Sequence, residues 1–155
     1  MLVDLIKSGF DRNLLIEILL AIPVILFSLT FHEVAHGYVA YKMGDPTARN
    51  LGRLTLNPIK HLDPIGSLLM LTVGYGWAKP VPINTRYFSN PKKGMAITAL
   101  AGPVSNMIIA IVSVAVYSLM LALLKIGAFA QIILSNQTIF NLYSAVYSMF
   151  SLCAY

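Results

Sequence analysis

The chain has 155 residues, of which 57% are hydrophobic and 11% charged, and its mean hydropathy is +0.74. This length suits one domain, but the composition excludes an ordinary soluble protein and predicts an α-helical integral membrane protein. A formal charge of +5 could indicate a nucleic acid partner. We exclude that partner because the basic residues occupy loops beside apolar runs. The single cysteine, Cys153, excludes an internal disulfide framework and a cysteine-rich zinc site.

The first long apolar run extends from Leu14 to about Met43. It is long enough to cross a hydrocarbon core of roughly 30 Å, and Pro23 within it predicts a kink. Residues 1–13 mix both signs of charge and do not predict a cleavable signal peptide. Gly44 and the proline two residues later predict the end of the helix.

Two basic loops flank a shorter apolar run, residues 64–75. This run is too short to cross as a helix and contains glycines, so we expect a hairpin or a re-entrant element. Pro80 and Pro82 predict extended backbone in the second loop. Both loops would lie on one side of the membrane, and the positive-inside rule assigns that side to the cytoplasm, with the N-terminus outside.

A second long apolar run goes from Gly94 to about Leu124, and a third begins near Ala128. The predicted fold is therefore about three transmembrane helices, with a short re-entrant β or hairpin element between the first two. Pro103 should kink the second helix and free a carbonyl group. Asn106 should not face lipid, and two roles stay open for it: a helix-to-helix hydrogen bond, or a place beside a metal or substrate.

The candidate catalytic residues, His32, Glu33 and His36, follow the pattern His-Glu-x-x-His inside the first apolar run. On a helix the two histidines share one face, so they can bind one zinc ion while Glu33 reaches the water that zinc activates. This arrangement suits peptide hydrolysis with Glu33 as general base and then acid. Histidines satisfied by helix packing are the plainer alternative. An ionisable group at the bilayer centre costs at least ~2.5 kcal/mol, however, which favours a dedicated site.

Six motifs follow one another between about residues 20 and 115. They are His32-Glu33-Val34-Ala35-His36-Gly37, Gly44-Asp45-Pro46-Thr47, Gly52-Arg53-Leu54-Thr55-Leu56-Asn57-Pro58, His61-Leu62-Asp63-Pro64-Ile65-Gly66, Gly76-Trp77-Ala78-Lys79-Pro80-Val81-Pro82 and Ala101-Gly102-Pro103-Val104-Ser105-Asn106. In content and spacing they resemble the site-2 protease family of intramembrane zinc metalloproteases, in its compact prokaryotic form without a PDZ domain.

The resemblance implies three transmembrane helices that hold Zn²⁺ inside the membrane near the cytosolic face, with Asn106 near the active site. Such enzymes cut transmembrane or membrane-proximal protein segments, often to release a regulator. The expected setting is a multi-pass protein of a prokaryotic cell membrane, with the lipid bilayer and a membrane-protein substrate as partners. The substrate would pair as an added strand beside the loop that contains Pro80 and Pro82 or beside the apolar run before it. The oligomeric state is not indicated.

One element of the family pattern is missing. The family's third zinc ligand is an aspartate in a Leu-Asp-Gly motif, and this chain has no Asp or Glu after Asp63. A catalytic zinc normally has three protein ligands, so two histidines alone would hold it weakly.

Three explanations for the missing ligand stay open. Residues 1–155 could be one membrane-embedded metalloprotease domain, truncated or divergent after about residue 125. The chain could be an inactive relative that binds membrane helices, or Asp63 or His61 could supply the ligand. We favour the first explanation because the resemblance fails near Asn141. A small transporter would also place ionisable groups in a membrane but does not explain the histidine spacing.

Overall fold

The structure is a computed structural model that describes residues 12–73 and 75–154. Within these residues the chain is mostly helical and contains no strand longer than an isolated bridge. Residues 1–11, which form most of the charged segment that does not predict a signal peptide, lie outside the described residues. The helices are α1 (Arg12–Lys42), α2 (Thr47–Asn50), a 3₁₀ helix (Pro58–His61), α3 (Pro64–Val73), a second 3₁₀ helix (Thr85–Tyr87), α4 (Pro91–Leu124), α5 (Gly127–Ser135) and α6 (Gln137–Ala154).

Two helices of the described chain are long and apolar enough to cross a membrane. They are α1 from residue 18 onward and the whole of α4, with hydropathies of 2.0 and 2.6. Only 11% of the most apolar window of each helix is buried, unlike the core helix of a soluble protein. Large apolar side chains such as Met107, Ile108 and Ile111 are 57–65% exposed. Two long apolar helices with exposed apolar faces fit a membrane protein.

Local sequence explains where the two long helices begin and end. Helix α1 ends at Lys42, and Gly44 follows with φ 107°, the left-handed conformation that glycine adopts most readily after a helix. Helix α4 begins at Pro91, where the Asn90 side chain accepts a hydrogen bond from the Lys93 N–H at 3.0 Å. Both helices remain continuous through their internal prolines. They pack against each other, and α6 packs against both.

The apolar run after residue 63 forms helix α3, not the expected hairpin. The side chain of Asp63 accepts hydrogen bonds from the N–H groups of Ile65 and Gly66 at 3.1 and 2.8 Å, and Pro64 occupies the first helical position. An N-terminal cap followed by proline is a strong helix start. The same residues also suit a turn, which is why the hairpin expectation was wrong.

The chain after α3 returns to the place where α3 began. Leu62 and Ala78 form a single antiparallel bridge. A Cβ atom on Gly66 would overlap the carbonyl group of Trp77, and one on Gly76 would overlap the carbonyl oxygen of Gly66. These glycines therefore allow the returning segment to lie directly on α3, where the sequence suggested that they break a helix.

The third apolar segment is divided at Asn136 into α5 and α6. The Asn136 side chain accepts a hydrogen bond from the Thr138 N–H at 3.0 Å and so caps the start of α6. Among the described residues, neither helix meets the length and hydropathy of a membrane span. A hydrogen bond joins helix α6 to α4: the Tyr143 hydroxyl donates to the Met120 carbonyl oxygen at 2.6 Å.

Asp45 joins the end of α1 to the second basic loop. Its side chain is fully buried and accepts hydrogen bonds from the Thr47 N–H and hydroxyl groups and from the Asn84 N–H, the last at 2.7 Å. Burial disfavours the ionised form, but the three hydrogen bonds outweigh it, so the pKa of Asp45 lies below its usual value.

We expect Asp45→Asn to destabilise the fold by about 1–3 kcal/mol at neutral pH, because it replaces a buried charged acceptor. The stabilisation from the carboxylate is fully present above its ordinary pKa of about 3.9 and is lost as the pH falls through the lower native value. Unfolding in detergent between pH 7 and pH 3 should therefore show the difference between parent and variant shrinking below about pH 4. Asn84→Ala keeps the backbone N–H group and should show no such convergence.

Candidate active site

Helix α1 brings His32, Glu33 and His36 to one end of the groove between α1 and α4. The centroids of the two imidazole rings are 4.6 Å apart, and the ring planes are nearly perpendicular. One helical turn separates the histidines, which places their side chains on one face. All three side chains are partly buried in a mostly apolar helix.

Gly102 of α4 lies directly opposite the two histidines. A Cβ atom on Gly102 would stand within 2.5 Å of the Nε2 atoms of both His32 and His36. Both nitrogens therefore point toward one small space that exists because residue 102 has no side chain. Zinc–nitrogen bonds are about 2.0–2.1 Å long, so two nitrogens converging on one point are suited to a metal ion.

Hydrogen bonding of the other ring nitrogen decides whether each Nε2 can act as a ligand. The Nδ1 of His36 lies 2.7 Å from the backbone oxygen of Thr98, which can only accept a hydrogen bond. The ring proton is therefore on Nδ1, and the Nε2 lone pair of His36 faces Gly102. This second contact is typical of metal-binding histidines.

Asn106 is the hydrogen-bond partner of the other histidine, His32. Its amide nitrogen lies 3.1 Å from Nδ1 of His32, and its amide oxygen accepts from the Ser28 hydroxyl at 3.3 Å. For Nε2 of His32 to offer a lone pair to a metal ion, the ring proton must be on Nδ1. A protonated Nδ1 needs an acceptor, so the amide oxygen of Asn106 must then face His32 in place of the amide nitrogen. Ser28 suits either orientation of the amide because a hydroxyl group both donates and accepts. Asn106 therefore serves as a helix-to-helix hydrogen bond and as a partner of a candidate ligand.

Glu33 contacts the second basic loop. Its Oε2 atom accepts a hydrogen bond from the Val81 N–H at 2.9 Å. The side chain of Val81 also packs on α1, because a Cβ atom on Gly37 would meet Val81 at 3.0 Å and Leu54 at 2.7 Å. The glycine that follows the His-Glu-x-x-His pattern thus lets the loop approach Glu33.

The described residues bring no third ligand to the two histidines. No group of three or more His, Cys, Asp or Glu side chains able to hold a metal ion occurs among them. Asp63 caps α3 with its carboxylate, and His61 is buried with its Nε2 atom 2.8 Å from the backbone oxygen of Thr55. The residues present therefore fit two ligands of a zinc site and not a complete set.

An open cavity of about 490 Å³ lies between α1 and α4 next to His32 and Asn106. Apart from these two polar side chains and one hydroxyl group, its walls are apolar. The remaining lining residues are Val24, Ile25, Ser28, Leu29, Ile109 and Ala110. Apolar walls with a few convergent polar groups are typical of a binding site.

Sequence reasoning missed three contacts of the site: those of Ser28, Thr98 and Val81. Ser28 could have been suspected as a polar residue inside an apolar helix, whereas Thr98 contributes a backbone oxygen, for which its side chain is no signal. Val81 has a subtler signal, since it lies between two prolines and carries the only backbone N–H group of residues 80–82.

The chain is similar to two curated bacterial proteins. One, named "Putative zinc metalloprotease YwhC", from Bacillus subtilis, is 56% identical over 88 residues, which cover 57% of this chain and 40% of the relative. The other, "Putative zinc metalloprotease Rip2", from Mycolicibacterium smegmatis, is 36% identical over 93 residues, which cover 56% of this chain and 35% of the relative. The matches thus span two fifths or less of each relative. No family model and no solved structure matches the chain. Both relatives support a relationship to zinc metalloproteases.

Proposed function

We propose that this protein is a zinc-dependent endopeptidase of the site-2 protease type, which cleaves transmembrane or membrane-proximal segments of other proteins in regulated intramembrane proteolysis. One observation carries the proposal: the Nε2 atoms of His32 and His36 converge on the space beside Gly102. Glu33, the residue that would act as base, adjoins the first histidine. The whole arrangement lies in a helix that is apolar enough to span a membrane.

The roles of the chain's residues follow from their atoms. Bound zinc would supply Lewis-acid activation of a water molecule and of the scissile carbonyl group. His32 and His36 would hold it through Nε2. Glu33 takes a proton from the attacking water at the carboxylate oxygen that does not accept from Val81. It then donates that proton to the leaving amine nitrogen as the C–N bond breaks.

The surroundings favour an apolar substrate. The cavity beside His32 and Asn106 has mostly apolar walls and opens between the two candidate spans. A membrane-embedded peptide segment suits such walls, whereas a charged soluble peptide would lose hydration there. We further propose that the basic loops face the cytoplasm of a prokaryotic cell.

Zinc binding provides the first test of the proposal. We expect the purified 155-residue chain in detergent to bind one zinc ion weakly and to cleave a transmembrane peptide slowly at saturating zinc, since two imidazoles hold zinc less firmly than three ligands. The double variant His32→Ala/His36→Ala should bind none. Equal zinc binding by the parent and the double variant would refute the assigned site. Tight zinc retention with rapid, chelator-sensitive cleavage would show that a third ligand is supplied.

A non-catalytic role is the second candidate function, and the lack of a third ligand among the described residues favours it. In that role the protein would sequester a partner helix in the cavity between α1 and α4. Crosslinking from Ala110 should then capture a membrane protein equally well in the parent and in His32→Ala, without cleavage products. Cleavage products that disappear in His32→Ala would exclude it.

A further inference from the structure

We propose that Arg53 is a positioning residue for Glu33, and that it acts through the backbone of residues 79–81. The contact chain stands on geometry alone. Its importance for catalysis rests on the proposed function, in which Glu33 is the general base. Neither the His-Glu-x-x-His pattern nor the similarity to zinc metalloproteases assigns a role to this arginine.

The guanidinium group of Arg53 is buried and directed at the second basic loop. Only 8% of the residue is exposed, and its NH2 atom donates to the Lys79 carbonyl oxygen at 2.6 Å, with a longer contact of 3.4 Å to the Pro80 oxygen. The Lys79 N–H group in turn donates to the His61 carbonyl oxygen at 2.9 Å. The backbone of residue 79 is therefore held at both its N–H and its carbonyl group.

Two residues further on, the same loop reaches the candidate base. Val81 donates its N–H group to Glu33, and its buried side chain packs against Gly37 together with Leu54, the neighbour of Arg53. Pro80 and Pro82 have no N–H group. The Val81 amide is therefore the only backbone donor of this tripeptide, and it is used by Glu33.

Proline makes the connection stiff. The ring of Pro80 fixes φ, one of the two rotatable dihedrals between the clamped carbonyl of Lys79 and the Val81 amide. The longer contact of Arg53 to the Pro80 oxygen is made to the peptide unit that carries the Val81 N–H group. A carboxylate that accepts a charge-assisted hydrogen bond from a fixed donor keeps one orientation. Without the clamp, the Val81 amide would shift and Glu33 would be free to rotate away from the histidines.

Burial of Arg53 supports a role beyond stability. Its Nε atom is buried without a hydrogen-bond partner among the described residues. Burying a guanidinium with incomplete bonding is unfavourable, whereas a surface arginine would avoid that penalty. The observed contacts of the group go to the loop that bears the Glu33 donor.

The arrangement also limits where a substrate strand can pair. A strand added beside residues 80–82 would find no free N–H group, because the prolines lack one and the Val81 amide is used. We therefore assign the one N–H group of this tripeptide to holding the base, and not to donating a backbone hydrogen bond to the substrate.

Hydrogen–deuterium exchange tests the connection directly, because residues 80–82 contain one exchangeable backbone amide. We expect Arg53→Gln to accelerate exchange at Val81 by about tenfold or more, and Glu33→Ala, which removes the acceptor, to do the same. The double variant should exchange no faster than the faster single variant, because both break one connection. Arg53→Lys should restore part of the protection. Arg49→Gln, on the exposed side of the same segment, is the matched control and should have no effect.

The second readout is the infrared carboxylate band of Glu33. The chain has two glutamates, so in a Glu17→Gln variant labelled with ¹³C-glutamate the shifted carboxylate band comes from Glu33 alone. In that background, Arg53→Gln should shift the band in the same direction as Val81→Pro, which removes the donor itself. A purely structural role for Arg53 would lower thermal stability and leave the band in place.

These outcomes separate the inference from the proposed function, because neither readout needs zinc or cleavage. Unchanged Val81 exchange or an unmoved Glu33 band in Arg53→Gln overturns the inference, even if zinc binds. Responses in both, with no zinc binding, would leave the contact chain in place and refute the catalytic role of Glu33. If Arg53→Gln does not fold, the same two readouts are measured in Arg53→Lys and compared with those in Arg49→Gln. Values equal to those of the control would overturn the inference.

Discussion

Gly102→Ala is expected to weaken zinc binding by about 100-fold or more. The added methyl group would stand within 2.5 Å of both Nε2 atoms, where a metal ion would lie. Ring ends can swing away, so the fold should survive at a cost of about 1–3 kcal/mol for overpacking. The convergence of the two nitrogens would not survive. Isothermal titration of zinc into the detergent-solubilised protein measures the change.

Gly127→Ala is the matched control for this substitution. A Cβ atom on Gly127 would meet nothing within 4 Å, so that variant should bind zinc as the parent does. Equal zinc affinity in Gly102→Ala and the parent would show that the metal does not occupy the space between His32, His36 and residue 102. A loss of zinc binding together with unfolding would be recognised by circular dichroism. In that case His36→Ala, which removes one of the two nitrogens without adding a side chain at residue 102, would test the zinc site instead.

Parts of the site are readable from the chain because they are local. The four-residue spacing of His32 and His36 predicts a shared helix face, and the rings lie 4.6 Å apart. Contacts that join distant segments are not readable in this way. Glu33 and Val81 are 48 positions apart, and only the fold brings the proline-flanked amide to the carboxylate.

The differences between the predicted and the observed helices both involve a side chain that caps a helix. Asp63 followed by proline suits both a turn and a helix start, and the choice depends on what packs against the next residues. Here Gly66 and Gly76 allow the returning segment to lie on α3, which makes the helical choice possible. Similarly, Asn136 interrupts an apolar run by capping α6, so the expected third span became two helices.

Tertiary contacts also explain two polar residues on the apolar helices. The Asn106 side chain bonds to the His32 ring, and the Ser28 hydroxyl bonds to Asn106. Thr98 differs, because it contacts His36 through its backbone oxygen while its buried hydroxyl group has no hydrogen-bond partner among the described residues. Such groups are costly in lipid without partners. The hydrogen bonds of Ser28 and Asn106 place these two polar side chains between the helices α1 and α4.

Glu33→Gln is expected to lower residual zinc-dependent cleavage by two to four orders of magnitude, roughly the contribution of general acid–base catalysis. Glutamine keeps an oxygen that can accept from the Val81 N–H, so the loop contact can persist. It cannot take a proton from water. Zinc affinity should change little, because the ligand nitrogens belong to His32 and His36. Mass spectrometry of a transmembrane peptide after long incubation at saturating zinc measures the loss.

Comparison with His36→Ala makes the result specific. That variant should lose zinc binding and cleavage together, whereas Glu33→Gln should lose cleavage alone. Glu33→Asp tests position, because it keeps the carboxylate but withdraws it from the Val81 amide by one methylene group, and we expect it to recover only a small part of the rate. Parental cleavage by Glu33→Gln at equal zinc occupancy would remove Glu33 from the chemistry, and the general base would then have to lie outside the His-Glu-x-x-His pattern.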